Sequence, residues 1–120
     1  MENNIYKILT VEQWERAQKT GVIVTNLDQK DGFIHLSTSA QLAGTLSFFF
    51  TDFDTLILLQ LKHQRLNKAL VFEAPYPKGR RSGEFPHLYS DLTLDQIEKQ
   101  WTIERGAFVL PEEVLLQAER

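Results

Sequence analysis

The chain has 120 residues, a length typical of one domain. Its 42% hydrophobic and 24% charged residues lie near the averages for globular proteins and argue against a disordered or fibrous chain. Because there is no cysteine, disulfides, thiolate nucleophiles and cysteine zinc sites are excluded. The 13 basic and 16 acidic residues give a net charge of −3, whereas a general nucleic-acid-binding protein normally carries a basic surplus.

The apolar runs of the chain are short. None of them, Phe48–Phe50 and Leu56–Leu59 included, approaches the roughly 18 apolar residues that a membrane span needs. The N-terminal segment Met1–Asn4 is polar and has no apolar signal region. We therefore expect a single cytoplasmic domain over residues 1–120, and the histidine strings described below add the expectation of a small-molecule ligand. A membrane or a nucleic acid is not expected as a partner, and the sequence leaves the oligomeric state open.

The first part of the chain predicts a strand followed by a helix. Ile5–Leu9 has the pattern of a short strand. Thr10 and Gln13 form a capping box, which predicts a helix that ends near residue 19. A short strand at Val22–Val24 and a polar loop over Asn26–Asp31 are expected to follow.

The segment after this loop predicts a strand that leads into a second helix. Side chains alternate across a strand. In residues 33–37 this puts the two aliphatic side chains on one face and Phe33, His35 and Ser37 on the other. Ser37 or Thr38 is suited to cap a helix over Ser39–Phe50.

The second half of the chain predicts mainly strands. Thr55–Leu61 is nearly all apolar, which indicates a strand buried on both faces. Phe85–Tyr89 is extended, and Pro86 restricts it to a sheet edge or an irregular strand. The other predicted elements are a strand over Leu70–Ala74, a helix over Leu94–Lys99, a strand over Gln100–Glu104 and a helix that begins at Pro111. This mixed order predicts an α+β domain.

Two strings, one over residues 33–37 and the other over residues 85–89, carry the same chemistry. Each places a phenylalanine, a histidine and a hydroxyl residue on one strand face. His35 and His87 are therefore candidates for a general base or for contacts to phosphate or ribose. The alternative is that each histidine only satisfies a neighbouring backbone carbonyl at the margin of the core.

Three other kinds of site remain open. A metal site of two histidines and one carboxylate would consist of His35, His87 and either Glu84 or Glu73. No close-spaced ligand motif supports this site, and we expect no bound metal. Residues 35–37 fit the H-x-S/T half-motif of two-histidine phosphoesterases, but Tyr89 breaks the second copy. The adjacent Arg80 and Arg81 are suited to clamp a phosphate, or they belong to a solvated loop over residues 75–83.

A longer set of residues resembles a known family. It consists of the first strand, Trp14, the string Gly32–Ser37, Gln41, Glu73 and the string Phe85–Tyr89. On these residues the chain is identified as a member of the small bacterial family catalogued as domain of unknown function 952, over about residues 5–105.

That family is thought to be distantly similar to the ADP-ribosyltransferase superfamily, so the resemblance implies a fold and a site. The fold is a split pair of small sheets with helices packed around them. A cleft between the sheets would bind NAD or a related nucleotide. The residues implied in it are Tyr6 and Lys7 at the position of the ribose-gripping residue, Phe33 and Tyr89 for ring stacking, Ser37 and Thr38 beside the nicotinamide, and His35 and His87 on ribose, phosphate or the attacking group.

The catalytic glutamate of the superfamily has Glu84 as its first counterpart here and Glu73 as its second. Such a protein would act as a transferase or as a glycosidic-bond hydrolase, with NAD as the cofactor or substrate that the resemblance suggests. The competing hypothesis is a non-catalytic module that binds a small acidic ligand or a peptide in the same cleft. The sequence leaves open whether the protein is an enzyme.

Overall fold

The structure, a computed structural model, describes residues 4–50, 52–62, 66, 69–74, 83–104 and 114. The predicted basic pair Arg80–Arg81, nearly all of its loop and the start of the helix predicted at Pro111 lie outside the described residues. No helix in the described part of the chain is long and apolar enough to cross a membrane.

The predicted α+β class is confirmed by two antiparallel sheets and three short α-helices in the described part. In chain order the elements are β1 (Ile5–Thr10), α1 (Val11–Thr20), α2 (Asn26–Asp31), β2 (Ile34–His35), β3 (Ser37–Thr38), α3 (Leu42–Phe49), β4 (Thr55–Leu61), β5 (Leu70–Glu73), β6 (Phe85–Leu88) and β7 (Ile97–Glu104). The large sheet has the order β3-β1-β4-β7, and the small sheet has the order β2-β6-β5.

The large sheet has a hydrophobic core on each side. Side chains alternate along β1, so Ile5 and Leu9 enter the first core, which also contains residues of α1 and of the small sheet. Tyr6 and Ile8 enter the second core with two leucines of α3. Strand β4 lies between β1 and β7, and Leu56–Leu61 is buried throughout, as its apolar run predicts.

Two helices begin and end at polar signals. The capping box of Thr10 and Gln13 is present, and α1 ends at Thr20, which confirms the predicted helix. The predicted loop over Asn26–Asp31 is wrong, because these residues form α2. Its capping box joins Thr25 and Asp28, and it ends at Gly32 with φ 84°. Since Asp28 is its one buried side chain, α2 has no apolar periodicity by which it could be predicted.

Long-range pairing overrides local propensity in two further segments. The helix predicted over Leu94–Lys99 is wrong: Leu94–Gln96 forms one 3₁₀ turn, and β7 begins at Ile97, where pairing with β4 starts. A helix of six residues is marginal by itself, whereas every residue of β7 except Glu98 has a ladder partner on β4. Of the predicted strand Val22–Val24, only Val22 pairs, in a single bridge with Thr93.

Strand β6 lies at the centre of the small sheet, although Pro86 was expected to restrict it to an edge or to an irregular strand. The carbonyl of Pro86 accepts a hydrogen bond from the backbone N–H of Leu36. The N and C=O of one residue point to the same side of a strand. The position where Pro86 lacks an N–H therefore also faces the side of β2, at a point where β2 has already ended. Pro86 therefore removes no hydrogen bond between β6 and β5.

We predict opposite effects for two glycine substitutions. Gly32→Ala should lower the free energy of unfolding by about 1–2 kcal/mol, because alanine is strained at φ 84° even where space is open. Gly44→Ala in α3 should raise it by about 0.5–1 kcal/mol, since the added Cβ meets no atom within 4 Å. Urea unfolding of the two variants measures both changes, and equal effects would contradict this account of α2.

Candidate functional site

The small sheet brings the two histidine strings together. His35 on β2 lies directly opposite His87 on β6, and their ring centroids are 5.6 Å apart. The ring of Phe33 packs against both, at 4.5 Å from the ring of His35 and at 4.0 Å, nearly parallel, from that of His87. The ring of Tyr89 lies 5.4 Å from that of Phe33. The four rings thus form one cluster.

Each imidazole in this cluster binds a carboxylate and not a backbone carbonyl. Nε2 of His35 lies 2.8 Å from Oδ2 of Asp31, and Nδ1 of His87 lies 2.8 Å from Oε1 of Glu73. The hydroxyl of Tyr89 donates to the same oxygen of Glu73. Because a carboxylate only accepts, the N–H of each ring faces its acid, which leaves Nδ1 of His35 and Nε2 of His87 as the remaining nitrogens.

The surroundings shift the pKa of three groups in this cluster. Burial lowers the pKa of His35, against the attraction of Asp28 and Asp31 for its positive form. Hydrogen bonds from Tyr89 and then from His87 lower the pKa of Glu73. The same bond to Glu73 raises the pKa of the Tyr89 hydroxyl. His35 is therefore a neutral imidazole at pH 7, the form that can accept a proton.

A buried ion pair holds the main chain of His35. Nζ of Lys7 lies 2.8 Å and 3.1 Å from the two carboxylate oxygens of Asp28, and both side chains are almost fully buried. The same Nζ donates to the carbonyl of His35 at 2.9 Å, while Oδ1 of Asp28 accepts from the backbone N–H of His35 at 2.9 Å. Burial lowers the pKa of Lys7, and Asp28 offsets part of that shift.

A cleft of about 690 Å³ lies against this pair. Five of the nine site residues predicted from the sequence line it: Tyr6, Lys7, His35, Ser37 and His87. The hydroxyl of Tyr6 donates to Gln60 at 3.1 Å, and the hydroxyls of Ser37 and Thr45 are 2.9 Å apart.

The other four predicted residues are not among those that line the cleft. Phe33 packs between the two histidines, and Tyr89 is half-exposed beside Glu73. Thr38 is buried, and its backbone N–H donates to the side chain of Gln41. Glu84 is exposed, and its carbonyl accepts from the same glutamine.

Sequence reasoning missed Asp28 and Asp31, which line the cleft and bind Lys7 and His35. Both lie on α2, which was expected to be a loop. Two signals point to them: the T-x-x-D pattern that starts at Thr25, and a lysine within an otherwise apolar strand, which needs a buried counter-charge. Among the described residues, no group of three or more histidine or acidic side chains is arranged to hold a metal ion.

We predict that Lys7→Met lowers the free energy of unfolding by about 3–5 kcal/mol, because it leaves the Asp28 carboxylate buried without its counter-charge. The double variant Lys7→Met/Asp28→Asn should be more stable than this single variant, since the amide oxygen can still accept from the backbone of Thr25 or His35. Denaturant melts measure the difference. A double variant that is less stable than Lys7→Met would contradict the proposed role of the ion pair.

The lowered pKa of His35 predicts how stability depends on pH. The unfolded chain protonates His35 near pH 6.5, at a higher pH than the folded chain does. The stability of the fold that depends on a neutral His35 is therefore fully present above about pH 6.5, and it is lost as the pH falls through the pKa of His35 in the folded chain. Unfolding of the wild type and of His35→Gln between about pH 7.5 and 5 should show a smaller loss in the variant. If the wild type and His35→Gln lose the same stability over this pH range, a group other than His35 causes the loss.

Comparisons with known proteins place the chain in a family. A crystal structure of protein CC0527 from Caulobacter crescentus is similar with a TM-score of 0.79 and 31% identity, over 96% of this chain and 98% of that one. The solution structure of CC0527 gives a TM-score of 0.73 and 32% identity over 91% of each chain. No curated protein matches. The model of the family described as a protein of unknown function, DUF952, matches residues 8–100, so the chain belongs to the DUF952 family.

Proposed function

We propose that the cleft binds a nucleotide related to NAD and that His35 is the general base in cleavage of a glycosidic bond, by hydrolysis or by transfer. The observation that carries this proposal is the ring of His35 at the cleft wall, with Nε2 held by Asp31. Its Nδ1 has no hydrogen-bond partner in the described part of the chain. The lowered pKa keeps this nitrogen unprotonated at pH 7.

The chemistry of NAD suits a site with a base of this kind. When the bond between ribose C1′ and the pyridinium nitrogen breaks, its electron pair goes to nicotinamide, which leaves as a neutral molecule. The oxygen of water or of an acceptor hydroxyl forms the new bond to C1′, and its proton passes to Nδ1 of His35. The leaving group therefore needs no general acid.

The carboxylate that stabilises the oxocarbenium-like transition state is Asp31 in this proposal. The two glutamates considered for this role from the resemblance do not line the cleft: Glu84 is exposed, and Glu73 binds His87. Among the described residues, the carboxylates that line the cleft are those of Asp28 and Asp31. Asp28 is paired with the cationic Lys7, whereas Asp31 binds the neutral imidazole of His35, so in this proposal Asp31 is the carboxylate whose charge acts on the substrate.

The resemblance to ADP-ribosyltransferases that the sequence suggests would imply the same substrate class, but in our proposal Lys7 takes a different part. The resemblance implies that a residue at position 6 or 7 grips the ribose. Here Nζ of Lys7 is already bonded to Asp28 and to the main chain of His35. In our proposal Lys7 positions His35, and the hydroxyl of Ser37, which lines the cleft, contacts the sugar. Tyr6 is fully buried, and its hydroxyl is bonded to Gln60.

A non-catalytic binding module for a small acidic ligand is the second candidate. It is favoured by the positions of Glu73 and Glu84, because transferase chemistry in the superfamily uses a glutamate in the cleft and neither of these lines it. Binding would require only the cleft walls with His35 and His87. The two candidates differ in turnover and not in where the ligand lies.

We predict that the protein releases nicotinamide from NAD and that His35→Gln slows this release by about 10²–10⁴-fold, the usual loss when a general base is removed. The wild-type rate should rise with pH through a midpoint below about 6.5 and then level off, because the neutral imidazole is the active form. Chromatography measures nicotinamide, and calorimetry measures NAD binding. Glu15→Gln, on the exposed face of α1, is the matched control and should leave both unchanged.

Three outcomes distinguish the candidates. Release that depends on His35 supports the enzyme. NAD or ADP-ribose binding without release supports the binding module. Failure of NAD, ADP-ribose and mononucleotides to bind would contradict the proposed ligand class.

A further inference from the structure

We propose that the outer end of the cleft is a subsite for an adenine-type purine ring, which lies apart from the bond that His35 attacks. This inference rests on the proposed function, and it assigns the part of the nucleotide that each end of the cleft binds. The outer end is formed by Leu27, Phe50 and Phe53, which all line the cleft.

Large apolar side chains are exposed at this end. Leu27 is 42% exposed and Phe53 is 40% exposed, although both line a concave surface. The rings of Phe50 and Phe53 are 6.2 Å apart and tilted by 55°, so they form an aromatic wall. A planar ring between this wall and Leu27 would cover apolar surface that is now in contact with water.

Neither of the two rings that the resemblance assigns to stacking, Phe33 and Tyr89, lines the cleft. Phe33 has His87 stacked at 4.0 Å and His35 at 4.5 Å, and it does not line the cleft. A ligand ring must therefore find its aromatic contact elsewhere, and Phe53 supplies an exposed one in the same cleft.

Two carboxamides lie beside this aromatic wall. The side-chain oxygen of Gln13 accepts from the backbone of Thr10, which leaves its NH₂ group as a donor. Asn26 is exposed on the first turn of α2 and offers both a donor and an acceptor. A carboxamide is the group that pairs with the N6 and N7 edge of adenine, so these side chains suit a purine better than an unsubstituted apolar ring.

Strand β1 sets the separation between the two ends. Nζ of Lys7 donates to the carbonyl of His35, and the hydroxyl of Thr10, three residues further along β1, accepts from the backbone of Gln13. Three residues of a strand span about 10 Å. We therefore assign a ring next to Gln13 to the second ring of the dinucleotide and not to the nicotinamide whose bond is cleaved.

The test compares two ligands that share the reacting end. Phe53→Ala should weaken NAD binding by about 5- to 150-fold, the range for loss of one stacked base. It should leave the binding of nicotinamide mononucleotide, which has no adenine, unchanged in calorimetry. Asn26→Ala should weaken NAD binding in the same ligand-dependent way. Phe72→Ala, at a 43% exposed position that does not line the cleft, is the matched control and should bind both ligands normally.

Two results would overturn the inference. If Phe53→Ala and Asn26→Ala bind NAD as the wild type does, or weaken both ligands equally, there is no adenine subsite at this end. Nicotinamide release that still depends on His35 would then leave the proposed function standing. If the wild type binds neither ligand, both proposals are overturned.

Discussion

The ion pair between Lys7 and Asp28 is the constraint on which the rest of the site depends. It joins a central strand of the large sheet to α2 and, through both backbone groups of His35, to the small sheet. Two charges removed from water are costly unless their remaining hydrogen-bonding capacity is used. Here the hydrogen bonds that complete the ion pair also hold neighbouring elements in place. Two of them bind the backbone of His35 in β2, and a third joins Asp28 to the backbone of Thr25 at the start of α2.

This arrangement explains why the candidate base lies on a strand of only two residues. Strand β2 is too short to be held by its own ladder, and its register with β6 depends on two residue pairs. The ion pair supplies the missing restraint at His35, while Asp31, one turn further along α2, orients the ring. One helix therefore fixes both the main chain and the side chain of the same residue, which favours a preorganised site.

The sequence was informative where local chemistry decides the structure. The apolar run of β4, the capping box of α1 and the repeated histidine strings all led to correct elements or to residues that lie together. It was uninformative where distant residues decide. Helix α2 buries one aspartate for a lysine 21 positions away. Residues 97–99, predicted as the end of a helix, belong to a strand because β4 offers this segment partners. Neither contact leaves a periodic pattern.

The charges of the cleft limit how a nucleotide can be recognised there. Lys7 is neutralised by Asp28, so Lys30 is the lining cation that has no acidic partner in the described part of the chain. One exposed lysine contributes little to phosphate binding and is screened by salt. Affinity must then come mainly from contacts to rings and hydroxyls. A cleft with an apolar aromatic end and a polar histidine end meets that requirement, and its affinity for NAD should consequently depend only weakly on ionic strength.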